Sequence, residues 1–172
     1  INLVAPATVE HVWERHILDS AQIARLLDPE DRAIADFGTG AGLPGMIMAI
    51  MTQRRIDLVE SDQRKAAFLR EAARVTSSDV IVHNLRIEAL EKEDYDVVVA
   101  RALAPLDRLL ELAVQKIRIG GRIIAPKGKR IEEELTQANK RWTMSVEFIP
   151  SLTASDAKIA VKGDGLESEK TN

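Results

Sequence analysis

The stretch Ile34 to Gly45, IADFGTGAGLPG, sets glycines at alternate positions behind an aspartate and satisfies two ligand-binding patterns at once. Read from Gly40, GAGLPG fits G-x-G-x-x-G, which cradles dinucleotide phosphates. Read from Asp36, DFGTGAG fits acidic-x-G-x-G-x-G, which surrounds S-adenosylmethionine. In either case Gly38, Gly40 and Gly42 bring bare backbone close to a ligand at a strand's carboxyl end. A pyrophosphate needs a helix N-terminus, and a carboxylate beside it is repulsive. The ammonium and sulfonium of S-adenosylmethionine suit a carboxylate, which Asp36 supplies. Glu60, at the end of the next apolar run, can accept from both hydroxyls of an adenosine ribose; nicotinamide enzymes use the same device, so Glu60 does not separate the two cofactors.

Further along, HNLRIEAL offers Asn84, Ile87 and Glu88 beside an adenine, with Ile87 covering the base and Glu88 facing its amine. A solvated loop is the bland alternative there. In ARALAPL, Arg101 falls beside the transferable group, although a structural arginine fits the position too. From Leu112 to Ile131 the chain has six basic residues (Lys116, Arg118, Arg122, Lys127, Lys129, Arg130) and no acidic one. PKGKR, at the end of a strand, is the part expected to contact phosphates.

Missing residue types narrow the chemistry. Methylation of an amine, hydroxyl or thiol often calls for a general base, yet His11, His16 and His83 fall within a helix or a strand. His16 is the nearest candidate, although a packed helical histidine is the more common reading of such a position. Cysteine is absent, which removes a thiolate nucleophile, and no N-P-P-Y-like tetrapeptide follows the fourth strand. Guanine N7 has a lone pair and no proton, so its methylation needs position and desolvation more than proton transfer. The absences tilt towards such a substrate. No metal-ligating cluster is expected.

Around these residues, a helical stripe (Val9, Val12, Trp13, Ile17, Ala21, Ala24, Leu27) predicts a first helix over 8–27, stopped at Pro29. Strands are expected at 33–37, 55–60, 79–84, 95–103 and 120–128. Helices are expected at 44–52, at 61–75 with Ser61 or Asp62 as cap, at 105–118 and at 130–142. Two strands (145–152, 158–163) close the chain around a turn at 153–157. Apolar strands alternating with helices predict a parallel sheet covered on both faces. The short closing turn forces antiparallel pairing. The expected fold is a doubly wound α/β domain whose seven-stranded, mostly parallel sheet ends in an antiparallel strand, the Rossmann-like class I S-adenosylmethionine methyltransferase arrangement. Expected boundaries are an N-terminal helical segment at 1–32, the catalytic domain at 33–163 and a polar tail at 164–172.

A chain of 172 residues, 45% apolar and 30% charged, fits one domain with a full core. Its net charge of −3 confines any nucleic-acid site to a local patch. Aromatic residues, at 3%, are too few for an extended base-stacking platform; an RNA recognised by shape fits better. Without an apolar run long enough to span a bilayer, a secretory signal or a cysteine, the expected location is the cytoplasm.

WERHILDS (13–20), DFGTGAGLPG (36–45), LVESDQRKAAFLREAAR (58–74), NLRIE (84–88), YDVVVARALAPLDRLLELA (95–113) and PKGK (126–129) together resemble the bacterial 16S ribosomal RNA guanine-N7 methyltransferases, historically glucose-inhibited division protein B. The resemblance covers nearly the whole chain. It implies methyl transfer from S-adenosylmethionine to N7 of one guanine in the 530 loop of 16S rRNA, free or within the 30S subunit. It also implies cofactor contacts from Gly38, Leu43, Ile87, Glu88 and Arg101, with Glu60 at the ribose. Arg101 would face the target base too, and Lys127 with Lys129 would form the basic RNA-side loop; beside that resemblance, Arg130 of PKGKR and His16 are further RNA-side candidates. Family members carry a helical segment before the position of Ile1, so the N-terminal segment is expected to be truncated. The rival readings are a methyltransferase of another RNA or a small molecule, a nicotinamide oxidoreductase, and a non-catalytic RNA-binding factor.

Overall fold

The structure, a computed structural model, describes residues 3, 10–91, 94–154, 158–162 and 167–168. Residues 8 and 9 of the expected first helix, 155–157 of the expected turn, and all of the expected tail except Glu167 and Ser168 lie outside the described residues.

A wide π-type turn, Trp13–Leu18, runs into α1 (Asp19–Ala24). Then follow β1 (Ile34–Phe37), α2 (Gly45–Thr52), β2 (Ile56–Val59), α3 (Gln63–Thr76), β3 (Val80–His83), a tight 3-10 turn (Ile87–Ala89), β4 (Tyr95–Val99) and α4 (Leu106–Ala113). The rest comprises β5 (Ile117–Lys127), α5 (Ile131–Ala138), β6 (Trp142–Thr143), β7 (Val146–Pro150), β8 (Lys158–Lys162) and β9 (Glu167–Ser168).

Seven strands form one sheet in the order β3-β2-β1-β4-β5-β8-β7. The first five pair in parallel, and β8 runs antiparallel to both β5 and β7. The reversed strand follows from connection length: the connections between the parallel strands run through α2, α3, the 3-10 turn and α4, whereas β7 and β8 are joined by a short connection. β6 and β9 pair separately.

Side-chain alternation divides the core between the two faces. Ile34, Ile56, Leu58, Val97 and Val99 pack against Ile23 of α1, Met46 and Met48 of α2 and Leu69 of α3. Ala35, Phe37, Val59, Tyr95 and Val98 pack with Leu106, Leu109 and Leu110 of α4 and Ile131 of α5. Asp62 caps α3, accepting the N–H groups of Arg64 at 2.8 Å and Lys65 at 3.1 Å.

Several expected boundaries shift. The helix expected over 105–118 ends at Ala113 and β5 begins at Ile117, which pairs with Tyr95 before the register slips. Gly121 marks that bulge: a Cβ there would lie 2.4 Å from Ile117 Cγ1 and 2.9 Å from the Tyr95 carbonyl oxygen. The glycine pair therefore sits inside the strand and does not start it. The helix expected to Trp142 stops at Ala138, because the Trp142 ring turns into the core and donates its N–H to Asp107 at 2.9 Å. The strand expected over 95–103 ends at Val99, where the chain leaves the sheet to line the site.

Candidate active site

The sheet's strand order reverses between β1 and β4, and ligands of such folds gather at the carboxyl ends of strands flanking that point. Gly38 leaves β1 at φ +66°, with its N–H donated to the Val59 carbonyl at 2.9 Å. A Cβ on Gly38 would come 2.5 Å from Leu103 Cδ1. Gly42, at φ +86°, is a packing glycine: a Cβ would meet Met46 Cβ at 2.9 Å and Leu69 Cδ2 at 3.0 Å. Leu43 follows it half-buried and lines neither of the cavities described below.

Asp36 is 1% exposed beneath this loop. Its Oδ2 accepts the Gly45 N–H at 2.8 Å and the Thr39 hydroxyl at 2.5 Å, which closes the loop onto the start of α2. Its Oδ1 is buried without a hydrogen-bond partner among the described residues. Burial pushes this carboxyl up to about 6, against the opposing pull of the Thr39 and Gly45 bonds and the Arg101 charge.

Glu60 reaches back over the loop. Its Oε2 accepts the Gly40 N–H at 2.9 Å and its Oε1 accepts the Asp62 N–H at 2.8 Å. Asn84 lies outside both cavity linings and spends its amide on the carbonyls of Glu60 (2.9 Å) and Ser61 (3.2 Å), so it clamps the segment that carries Glu60. Ile87 is buried at the cavity wall, and Glu88 beside it is ion-paired with Arg108 at 2.8 Å. Gly38, Glu60, Ile87, Glu88, Leu103 and Arg108 thus surround a cavity of about 440 Å³.

A second cavity, of about 510 Å³, opens on the other side of Ala102, Leu103 and Ala104, which line both. Ala102 is held at φ +53°, a left-handed conformation that costs a residue with a Cβ roughly 1–2 kcal/mol. Arg101 enters this cavity from the end of β4. Its Nη2 lies 3.4 Å from His16 Nδ1 and its Nη1 lies 3.8 Å from Asp19 Oδ2. Burial pushes the Arg101 guanidinium below its usual range, while the charges of Asp19 and Asp36 pull it back. α1 is pinned above the cavity: Gln22 donates to Asp19 Oδ1 at 2.7 Å and to Ser151 Oγ at 3.2 Å, and accepts the Leu152 N–H at 2.9 Å.

The basic run is more structural than its composition suggests. Lys116 is buried with its ammonium on the Leu90 carbonyl at 2.5 Å, Arg118 pairs with Asp96, and Arg122 bridges Asp28 (2.9 Å) and Asp31 (2.6 Å). Lys127, expected on the RNA side, is turned inward: its ammonium holds Glu134 at 2.8 Å and the Ala104 carbonyl at 2.7 Å. Lys129 and Arg130 are exposed beside the cavity rim at Gly128.

Sequence reasoning missed Thr39, Asp19, Leu103 and Glu134. Thr39 stood inside the glycine motif, and Asp19 inside the WERHILDS segment whose helical stripe drew attention only to its apolar residues. Leu103 stood inside the ARALAPL turn beside Arg101, whereas nothing in the local sequence of Glu134 signals a site and it acquires its position from the packing of α5.

A family model described as GidB, rRNA small subunit methyltransferase G, matches residues 1–160. The chain is 51% identical over 153 residues to ribosomal RNA small subunit methyltransferase G of Rhodospirillum centenum, covering 89% of this chain and 71% of that protein. To the protein of the same name in Granulibacter bethesdensis it is 50% identical over 159 residues, covering 92% of this chain and 75% of the other. In fold it is similar to P. horikoshii TYW2, solved in complex with MeSAdo, with a TM-score of 0.66 at 15% identity; the match covers 92% of this chain and 62% of that one.

Proposed function

The chain belongs to the rRNA small subunit methyltransferase G family, and on that premise we propose that it transfers a methyl group from S-adenosylmethionine to N7 of a guanine in the 530 loop of 16S rRNA. The observation that carries this reading is the pair of cavities divided by Ala102, Leu103 and Ala104. The one that carries Glu60, Ile87 and Glu88 is read as the nucleoside side, and the one that carries Arg101 as the side on which a base is presented.

The fit to the cofactor rests on the Glu60 carboxylate at the mouth of the glycine loop, and on the Asp36 carboxylate buried beneath that loop and outside the cavity lining, whose unpartnered Oδ1 offers a cationic group charge and not contact. Gly38, Glu60, Ile87 and Glu88 would hold the adenosine half, with Gly40, Gly42 and Asn84 fixing the loops that carry them. The cofactor supplies an electrophilic methyl group when bound. The chain's own task is to place the base and exclude water. No side chain need take a proton, because guanine N7 carries a lone pair and no proton. Arg101, steadied by His16 and Asp19, positions the base. Lys129 and Arg130 supply the phosphate contacts, and Lys127 supports the cavity wall from within.

Methyl transfer from labelled cofactor to 16S rRNA lacking its natural N7 mark, naked and in 30S subunits, tests this. Label at one guanine of the 530 loop is the expected outcome. Cofactor binding without transfer to either RNA would overturn the substrate assignment.

A further inference from the structure

The second cavity sets a donor beside an acceptor: Arg101 Nη1 and Asp19 Oδ2 are 3.8 Å apart on its wall, and the two side chains are 19% and 27% exposed. Asp19 is not free to rotate. Its Oδ1 accepts from Gln22 Nε2 at 2.7 Å and from the Thr153 hydroxyl, so Oδ2 is the oxygen turned towards Arg101. We propose that this pair reads the target base, and that Asp19 selects guanine over adenine by accepting the base's N1–H while Arg101 donates to O6. The proposal rests on the guanine-N7 reading above and names the residue that gives it base specificity.

The order of groups on the base supports the assignment. When guanine N7 faces the wall shared by the two cavities, O6 is the next polar group along the base edge and N1–H lies beyond it. Arg101 adjoins Ala102 of that shared wall in the chain, whereas Asp19 lines only the second cavity, from α1. Guanine then presents acceptor and donor to a guanidinium and a carboxylate. Adenine presents the reverse, an amino donor to the arginine and an N1 lone pair to the carboxylate, and both contacts are repulsive. Methylation at N7 also leaves the purine cationic and its N1–H a stronger donor. The Asp19 contact therefore strengthens as the reaction proceeds, which is the condition for an interaction to raise the rate.

The test uses the full chain and 16S rRNA ligated from synthetic fragments, assembled into 30S subunits, with the target position occupied by guanine, 1-methylguanine or 2-aminopurine. The wild-type protein is expected to lose roughly tenfold or more in kcat/KM on 1-methylguanine, in which the N1 donor is blocked. Asp19→Asn keeps Oδ1 for Gln22 and Thr153 but turns an amide donor towards N1. It is expected to lower kcat/KM on guanine by a similar factor, raise the ratio of 2-aminopurine to guanine use, and leave cofactor affinity unchanged. Equal loss on guanine and 2-aminopurine would make Asp19 a packing residue and overturn the proposal, as would undiminished wild-type transfer to 1-methylguanine. A wild-type protein that binds the cofactor yet methylates no guanine would overturn the guanine-N7 reading, and this one with it.

Discussion

The Glu60 carboxylate receives the Gly40 backbone N–H at 2.9 Å while its other oxygen receives that of Asp62 at 2.8 Å, so one side chain ties the glycine loop to the start of α3. Glu60 thus shapes the cofactor cavity before it touches any cofactor. Glu60→Gln keeps one acceptor and turns an amide donor against the second N–H. Because hydrogen bonds to charged groups contribute about 1.5–3 kcal/mol each, a loss of that order is expected in both folding stability and cofactor binding. Denaturant melts and calorimetric titration of the cofactor would check it; an unchanged affinity would remove Glu60 from the site.

Gly38→Ala is expected to cost roughly 1–2 kcal/mol through its left-handed backbone alone. The steric contact is with the far end of the flexible Leu103 side chain, which can move aside. The double variant with Leu103→Ala should therefore recover little of the lost stability. Substantial recovery would mean that contact with Leu103, and not the dihedral, is the constraint.

Asp36 should make both stability and cofactor affinity depend on pH. Its folded-state pKa of about 6 lies above the ordinary value of 3.8, so the folded protein binds more protons between those limits. The stabilisation from this group is full below about pH 4 and is lost as pH rises through about 6. The loss amounts to about 3 kcal/mol, at 1.36 kcal/mol for each pKa unit. Affinity for a cationic ligand runs the opposite way, rising between pH 5 and 7 as Asp36 ionises. Asp36→Asn should flatten both profiles, and a variant that retains either slope would assign it to another group.

Two kinds of lysine should separate by experiment. Lys127→Met strands Glu134 and should lower stability by about 1–3 kcal/mol, less than a fully buried pair loses because Glu134 is partly exposed. Lys129→Ala and Arg130→Ala should leave the melting temperature unchanged. Each should weaken RNA binding and reduce the slope of log affinity against log salt by about one. A salt slope that responds to Lys127 and not to the other two would place the RNA on the opposite side of the loop.

The fold was legible because its signals are local. Apolar strand runs, helical stripes and the short β7–β8 connection dictate a mostly parallel sheet with one reversed strand, and Asp36 and Glu60 fall at strand ends where chemistry gathers. Positions set by distant packing were less legible. Asn84 reads as an adenine contact until its amide is seen on the carbonyls of Glu60 and Ser61. Lys127 reads as a phosphate contact until α5 brings Glu134 against it. The glycine pair at 120–121 reads as a strand start, because a bulge is a property of two paired strands and only one of them is visible locally.

The pinning of α1 by the segment after β7 bears on the order in which the protein is made. Every residue around the 440 Å³ cavity falls between Gly38 and Leu112, whereas the 510 Å³ cavity draws on Asp19, Gln22 and Ser151. A nascent chain therefore carries all its cofactor-side residues well before translation reaches the residue that closes the base-side wall, and domains tend to fold in the direction of synthesis. The Leu152–Gln22 hydrogen bond forms only when the segment after β7 returns to α1. Competence to hold a base is thus acquired late, and an incompletely translated chain has cofactor-side residues but no finished place for a substrate.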